Sequence, residues 1–275
     1  MVLDGPRCVG YADTPDARAE RPGGRIVHAA DCGERIRSVP EATGGMRMDI
    51  TGAIFDCDGT LLDSMPYWNS LFPRVAARHG IEASKEEYAF LESLSLLEGC
   101  RMLHGRFGIG EGPEELFEEH LSLALDFYEH DVRPFAGVRG FLETLAAAGI
   151  PLIVASSTPK RAVRRALELH GLGRFFCDIV TSEDTGYRDK EHPDIYLEAL
   201  RRLGTGKKTT WVFEDAPFAA RTAQDEGFPV VALLNDHDGR DPVYMREHSD
   251  ILVTSYAELS LERLQSVPAR MGRCM

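Results

Sequence analysis

The chain has 275 residues, of which 43% are hydrophobic and 27% are charged, a composition typical of a folded globular protein with one domain or two. The formal net charge of −13 argues against a nucleic-acid partner, because nucleic-acid-binding surfaces are normally basic. Apolar runs such as PLIVAS at 151–156 are far shorter than the roughly 20 residues of a membrane span. We therefore expect neither a nucleic-acid nor a membrane partner.

The six cysteines are scattered, and no two form a C-x-x-C pair. This spacing predicts free thiols in a reducing compartment rather than a disulfide framework or a zinc site. We expect a cytoplasmic protein that is a monomer, with a dimer as the alternative.

Residues 1–47 differ from the rest of the chain. Glycine recurs there, and the apolar residues follow neither a helical nor a strand period. We expect a disordered N-terminal extension without the apolar segment of a signal peptide. An alternative interpretation places the natural start at Met46 or Met48.

From residue 49 onward, short apolar segments alternate with amphipathic ones. The predicted strands are 51–56, 151–156, 178–181, 209–213, 229–233 and 250–253. Helical patterns at 138–148, 160–170 and 193–203 are each followed by glycine. This alternation predicts an α/β fold, a Rossmann-like core of three layers with a parallel sheet between helices.

A long segment after the first strand interrupts this alternation. About eighty residues pass without a predicted strand, which is too long for an ordinary loop. Their apolar residues recur with a helical period, so we predict an inserted α-helical domain at 67–131, with 48–66 and 132–275 forming the core. Its two connections, at 63–66 and 131–134, are predicted hinges.

Acidic side chains follow two of the predicted strands. Asp56 and Asp58 come after the first strand, and Glu214 and Asp215 come after TTWVF. Ligands bind beyond the carboxyl ends of the strands in an open parallel sheet, so these four carboxylates are expected in one cleft. They would repel one another without a hard cation, and carboxylate oxygens suit Mg²⁺. We predict Mg²⁺ as the cofactor, with these four residues as candidate ligands.

The remaining polar groups at the strand ends suit a phosphate. Ser156 and Ser157 precede a predicted helix, where hydroxyl and backbone N–H groups bind anions. Asp56 is a candidate nucleophile that would form an aspartyl-phosphate, while a second aspartate moves protons. Lys190 is the best candidate to balance charge on the phosphoryl group, with Arg188 as its rival.

Four segments in this order resemble the haloacid dehalogenase superfamily of phosphohydrolases. They are DCDGT at 56–60, Ser156 in VASST, Lys190 in KEHPD and the acidic pair in FEDAP at 213–217. The resemblance covers residues 50 to about 255 and implies that Ser156 and Lys190 bind the phosphate. The helical insert resembles the cap of the β-phosphoglucomutase-like branch of this superfamily.

The same resemblance implies roles for the acids. Asp56 would be the nucleophile and Asp58 the general acid and base. Asp215, Asp56 and the main-chain carbonyl of Asp58 would bind Mg²⁺. Glu214 would be an additional ligand or, alternatively, would lie behind the ligands.

Three departures from the mutases of this branch favour hydrolysis. Trp68 stands where those mutases carry a hinge histidine, Glu191 follows the motif lysine where proline is usual, and Arg101 is only a loose candidate for their sugar-binding arginine. The sequence is equally consistent with a position of Tyr67 and Trp68 in the core of the insert and with one in the substrate pocket. We retain Trp68 as a candidate substrate-binding residue.

The sequence therefore predicts a Mg²⁺-dependent phosphatase acting on a small phosphorylated metabolite, with sugar phosphates or polyol phosphates as the leading class. A phosphosugar isomerase like β-phosphoglucomutase is the first alternative. The second is a catalytically silent sensor or partner-binding protein with the same fold.

Overall fold

The computed structural model describes residues 49–92, 94–235 and 241–268. The predicted extension at 1–47 lies outside the described residues. The strands are β1 (Gly52–Phe55), β2 (Leu152–Ser156), β3 (Phe176–Thr181), β4 (Thr210–Glu214), β5 (Val230–Leu233) and β6 (Ile251–Val253). The helices are α1 (Met65–Arg78), α2 (Lys85–Glu92), α3 (Leu96–Phe107), α4 (Pro113–His130), α5 (Val138–Ala147), α6 (Lys160–Leu169), α7 (Asp194–Leu203), α8 (Pro217–Asp225), α9 (Pro242–Glu247) and α10 (Leu261–Ser266).

The six strands form one parallel sheet in the order β3-β2-β1-β4-β5-β6. The predicted boundaries of each strand agree with the observed boundaries to within two residues. The predicted α/β fold is confirmed. The chain leaves β1 towards β2 on one side and later returns to β4 on the other. This reversal of strand order opens a crevice at the carboxyl ends of β1 and β4, where ligands bind in sheets of this kind.

Both faces of the sheet are covered by helices, because alternate residues of each strand point in opposite directions. Ile54 belongs to the hydrophobic cluster on the face of α7 and α8. Its neighbour Phe55 belongs to the cluster on the face of α5 and α6, where its ring stacks on Phe213 at a centroid distance of 4.1 Å. The predicted three-layer arrangement is therefore confirmed.

No helix is predicted after residue 203, yet α8, α9 and α10 follow. Helices α9 and α10 have only six residues each, which is too short to show a helical period. Helix α8 buries mainly alanines, whose low hydrophobicity gives weak contrast between its faces. None of the described helices has both the length and the apolar character needed to cross a bilayer.

Helices α1 to α4 lie between β1 and α5, and we call them the helical insert. Its buried side chains include Leu71 on α1, Leu103 on α3 and Leu116 on α4, and they continue one hydrophobic cluster of the sheet. Helix α4 packs against α6, and Arg165 of α6 pairs with Glu129 of α4 at 2.5 Å. The first helix of the insert begins two residues before the predicted boundary, and the division into two domains remains a prediction.

A histidine lies in the interior of the insert. His120 is fully buried, and its ring lies 4.9 Å from the ring of Phe72. Its Nδ1 donates to the carbonyl of Leu116 at 2.6 Å and lies 3.6 Å from Cys100 Sγ. Burial lowers the pKa of His120 below its ordinary value of 6.5, because the cation would lose its hydration. The folded protein therefore holds this imidazole neutral.

We predict that His120 makes the insert sensitive to acid. The unfolded chain takes up a proton at His120 near pH 6.5 and the folded chain resists it, so the free energy of unfolding falls as the pH drops below that value. The slope from this one group is at most about 1.4 kcal/mol per pH unit. Urea unfolding of wild type and His120→Leu between pH 7.5 and pH 5 measures it, and the variant should show the weaker pH dependence.

The matched control is His130→Leu, because the His130 side chain is 66% exposed. This variant should retain the wild-type pH dependence. Equal slopes for wild type and His120→Leu would contradict the prediction.

Candidate active site

A cavity of about 480 Å³ lies at the crevice between β1 and β4, and the helical insert covers it. All of the predicted site residues line it: Asp56, Asp58, Trp68, Ser156, Ser157, Lys190, Glu214 and Asp215. Asp56 follows the last residue of β1 and Glu214 is the last residue of β4. The pairing of β1 with β4 therefore brings together carboxylates that lie far apart in the sequence.

One buried lysine joins the carboxylates of the two strands. Lys190 Nζ donates to Asp56 Oδ1 at 2.5 Å and to Glu214 Oε1 at 2.7 Å. The hydroxyl of Tyr196, on α7, donates to the same oxygen of Glu214 at 2.7 Å. The rival cation, Arg188, is more than half exposed and pairs with Asp194 at the surface. Among the described residues that line the cavity, Lys190 is therefore the cation.

Burial acts in opposite directions on the two members of this ion pair. It raises the pKa of Asp56 well above the ordinary 3.8, and Lys190 opposes that shift only in part. Burial would lower the pKa of Lys190, but Asp56 and Glu214 outweigh it and hold that pKa above the ordinary 10.5. Lys190 therefore stays charged, and a single ammonium faces several buried carboxylates.

The carboxylate cluster is suited to a divalent cation. Asp56, Glu214 and Asp215 each offer an oxygen, and these oxygens lie within 4.8 Å of one another. Asp56 Oδ2 and Glu214 Oε2 are buried and accept no hydrogen bond from any described residue. Buried carboxylate oxygens without donors are costly, and a hard cation with oxygen ligands such as Mg²⁺ would satisfy them.

The carboxylate of Asp58 lies outside this cluster and accepts hydrogen bonds from three hydroxyl groups. Ser64 and Tyr128 donate to its Oδ1 at 2.7 and 2.6 Å, and Thr158 donates to its Oδ2 at 2.8 Å. Tyr128 belongs to α4 of the insert, and burial together with the charge of Asp58 raises its pKa, so its hydroxyl keeps its proton. The insert thus contacts the predicted proton-transfer residue directly.

The serine loop after β2 forms another part of the cavity wall. Ser156 is buried, and its Oγ accepts a hydrogen bond from the backbone N–H of Thr158 at 3.1 Å. Ser182 Oγ donates to the carbonyl of Ser157 at 3.2 Å and fixes the loop to the end of β3. Helix α6 begins two residues after Thr158. The loop therefore lies at the positive end of a helix, where anions bind.

The loop of the first motif is held against the neighbouring strands. Thr60 Oγ1 donates to Asp215 Oδ1 at 3.4 Å, and Tyr256 donates to the carbonyl of Thr60 at 3.0 Å. Asn235 donates to the carbonyl of Gly59 at 2.6 Å. These contacts fix the segment that runs from the second aspartate, Asp58, to the start of the insert.

The insert residues singled out from the sequence divide between site and core. Trp68 lines the cavity, whereas Tyr67 packs on Phe127 at a ring distance of 5.0 Å. Arg101 is exposed and does not line the cavity. The loose candidate for a sugar-binding arginine therefore lies away from the site.

The site predicted from the sequence does not include Ser64, Tyr128 or Tyr196. Ser64 lies six residues after Asp58, within the predicted hinge. This short separation in the chain could have indicated that its hydroxyl lies near Asp58. Tyr128 lies 70 residues from Asp58 in the chain, and nothing in the local pattern of α4 distinguishes it. Its contact follows from the packing of the insert on the core.

The parallel sheet of this order, with two aspartates after β1 and a lysine and further carboxylates beside them, has the arrangement expected of the α/β phosphohydrolases that the four segments resemble. The family model described as haloacid dehalogenase-like hydrolase matches residues 50–227, more than half of the chain. The chain belongs to this haloacid dehalogenase-like hydrolase family, as its four segments predicted.

Known relatives agree with this assignment. The chain is 28% identical over 187 residues to a phosphorylated carbohydrates phosphatase of Thermotoga maritima, covering 66% of this chain and 86% of that protein. It is 28% identical over 188 residues to hexitol phosphatase A of Escherichia coli, covering 68% and 84%. These names confirm the predicted class of enzyme, a phosphoric monoester hydrolase.

A solved structure shares the fold of this chain. β-Phosphoglucomutase of Clostridium difficile superposes with a TM-score of 0.64 at 20% identity, covering 78% of this chain and 96% of that one. At this identity the likeness shows the fold alone. It confirms the predicted β-phosphoglucomutase-like architecture.

We predict that Gly59→Ala inactivates the site. Gly59 has a φ of 86°, and an added Cβ would lie 2.6 Å from Cγ of Asp215, so the acid must move. The left-handed backbone costs about 1–2 kcal/mol in stability, whereas displacement of Asp215 removes a candidate metal ligand. Steady-state phosphatase assays and thermal unfolding measure the two effects.

Gly204→Ala is the matched control. Gly204 has a φ of 66° with no atom within 4 Å of the added Cβ, so it carries the same backbone cost without a clash. Gly204→Ala should lose only the backbone cost of about 1–2 kcal/mol and keep its activity, whereas Gly59→Ala should lose more stability, because of the clash, and its activity. Full activity in folded Gly59→Ala would contradict the described contact.

Proposed function

We propose that the protein is a Mg²⁺-dependent phosphatase that hydrolyses a small phosphate monoester through an aspartyl-phosphate on Asp56. The observation that carries the proposal is the position of Asp56, which lies in the cavity wall with one oxygen bound to Lys190 and the other without a donor among the described residues. The names of the relatives support a sugar phosphate or polyol phosphate as the substrate class.

In the first step, a carboxylate oxygen of Asp56 attacks the phosphorus. A new O–P bond forms, the bond from phosphorus to the ester oxygen breaks, and the electron pair stays on the leaving alcohol. Asp58 acts as the general acid and gives a proton to that oxygen. Lys190 and the serine loop stabilise the phosphoryl oxygens as charge develops on them.

In the second step, water attacks the phosphorus of the aspartyl-phosphate. Asp58, now ionised, removes a proton from the water, the bond from phosphorus to Asp56 breaks, and inorganic phosphate leaves. The three hydroxyls around Asp58 hold its carboxylate in one position for both proton transfers. The insert over the cavity limits the access of bulk water.

Asp56, Glu214 and Asp215 would hold Mg²⁺, together with the main-chain carbonyl of Asp58. When bound, the ion neutralises charge on the phosphoryl group and so allows an anion to approach a cluster of carboxylates. Lys190 alone supplies one positive charge against these acids. The metal requirement follows from that imbalance.

The departures from the mutases favour water as the final acceptor. Trp68, and not histidine, lines the cavity at the hinge position, and Arg101 lies outside it. A mutase would return the phosphoryl group to a sugar. Product analysis with glucose 1-phosphate distinguishes the two, because a phosphatase releases glucose and phosphate without forming glucose 6-phosphate.

We predict that Asp56→Asn abolishes turnover and preserves the fold. The change is nearly isosteric but removes the nucleophile, so kcat should fall by at least about a thousandfold. Phosphate release from a panel of monoesters measures activity, and near-ultraviolet circular dichroism measures folding. Asp126→Asn, on the exposed face of α4, is the control and should keep wild-type kcat.

Residual turnover of folded Asp56→Asn within about tenfold of wild type would exclude Asp56 as the nucleophile. Absence of Mg²⁺-dependent turnover by folded wild type on the whole panel would instead favour the catalytically silent alternative.

A further inference from the structure

The wall of the active-site cavity is divided by chemistry into two parts. The floor consists of the acids, hydroxyls and lysine already described. The rest of the wall we call the roof, and it consists of Met65, Trp68, Asn69, Phe72, Leu94, Leu96, Ala216 and Phe218. Six of these residues come from the helical insert and its connections, and two follow β4. All are apolar or aromatic except Asn69.

The roof is fixed in shape by its neighbours. Phe72 is only 5% exposed, and its ring packs against the ring of buried His120. Gly99 on α3 permits this position, because a Cβ there would lie 2.9 Å from Cε1 of Phe72. Trp68 lies one helical turn before Phe72 on α1, and its ring meets Tyr128 edge-on at 6.5 Å. The aromatic surface is therefore a preformed part of the site.

The charges around the cavity disfavour a second anionic group on the substrate. Among the described residues that line it, Lys190 is the only cation, and it is already bound to Asp56 and Glu214. A carboxylate or second phosphate on the leaving group would face the apolar roof without a partner. Burial of an unpaired charge is strongly unfavourable.

The hydrogen-bonding capacity of the roof is also small. Every hydroxyl of a sugar or polyol that leaves water needs a new partner, or it lowers the affinity. Asn69 is the single amide or hydroxyl side chain of the roof, and the indole N–H of Trp68 donates to Tyr128. In the floor, the hydroxyl of Thr158 is already committed to Asp58. A leaving group with many hydroxyls would therefore bury several without partners.

We propose that this site takes phosphate monoesters whose leaving alcohol carries no second anion and presents an apolar face to Trp68 and Phe72. This inference rests on the proposed function, since it assumes that the phosphate lies on the floor. It departs from the substrate class that the names of the relatives support, because it places highly hydroxylated and doubly anionic esters below cyclic, alkyl or deoxygenated ones of similar size.

Two matched pairs of substrates test the inference. Cyclohexylmethyl phosphate and glucose 6-phosphate share a six-membered ring and a methylene ester but differ in hydroxyl groups. Ethyl phosphate and phosphoglycolate share two carbons but differ in a carboxylate. With Mg²⁺ present, kcat/KM should favour the first member of each pair by at least about tenfold. Equal values, or preference for the second members, would overturn the inference.

Variants of two adjacent aromatic residues test whether the roof causes the preference for cyclohexylmethyl phosphate over glucose 6-phosphate. Trp68→Ala should reduce the preference for cyclohexylmethyl phosphate by about tenfold, and Trp68→Phe should restore most of it. Tyr67→Ala is the matched control, because Tyr67 packs on Phe127 and does not line this cavity. It should keep the wild-type ratio. An unchanged ratio of kcat/KM between the two esters in folded Trp68→Ala would exclude the roof as the source of the substrate preference.

Binding separates failure of this inference from failure of the proposed function. Titration calorimetry of Asp56→Asn with cyclohexylmethyl phosphate and glucose 6-phosphate needs no turnover. Tighter binding of the cyclohexylmethyl ester supports the inference, and equal or weaker binding overturns it. Absence of wild-type turnover on all four esters would overturn the proposed function, and the binding preference would still decide the inference.

Discussion

The structure of the site depends on one buried ammonium group between carboxylates. Lys190 binds acids from the ends of both β1 and β4, and it lies almost wholly out of contact with water. Removal of one partner from such a buried pair typically costs about 3–5 kcal/mol, because the remaining charge is left uncompensated. The pairing of β1 with β4 is what brings these groups within bonding distance. The ion pairs of the site therefore depend directly on the order of the strands in the sheet.

The core and the insert contribute different things to the same cavity. The strand ends of the core supply the acids, the lysine and the serine loop. The insert supplies most of the apolar roof and the Tyr128 hydroxyl that meets Asp58. Under the proposed function, substitutions in the roof change which alcohol is accepted, while the groups that would bind the phosphate stay in place. Tyr128 is the exception, since it connects the position of the insert to Asp58, the proposed proton-transfer residue.

The sequence predicted the parts of the site that follow apolar strands. Asp56, Ser156 and Glu214 stand at strand ends, and the carboxyl ends of parallel strands meet at one edge of a sheet. Lys190 was found through its motif and through its charge. These signals are local, so a short window of residues carries them.

Other features depend on packing between distant segments. The contact of Tyr128 with Asp58 and the position of Phe72 beside Gly99 both follow from how the helices of the insert meet. The short helix α9 lacks enough residues for a periodic pattern. The residue roles, the domain boundaries, the cytoplasmic location and the monomeric state stay predictions.

We propose that the excess of buried carboxylates over Lys190 creates a site for one divalent cation. Calorimetric titration of the wild type and Asp215→Asn with Mg²⁺, paired with thermal unfolding, tests it without any substrate. The wild type should bind a single Mg²⁺ and unfold at a higher temperature when it is bound. Asp215→Asn should bind at least about tenfold more weakly. No saturable binding by folded wild type, or equal affinity in the variant, would contradict the claim.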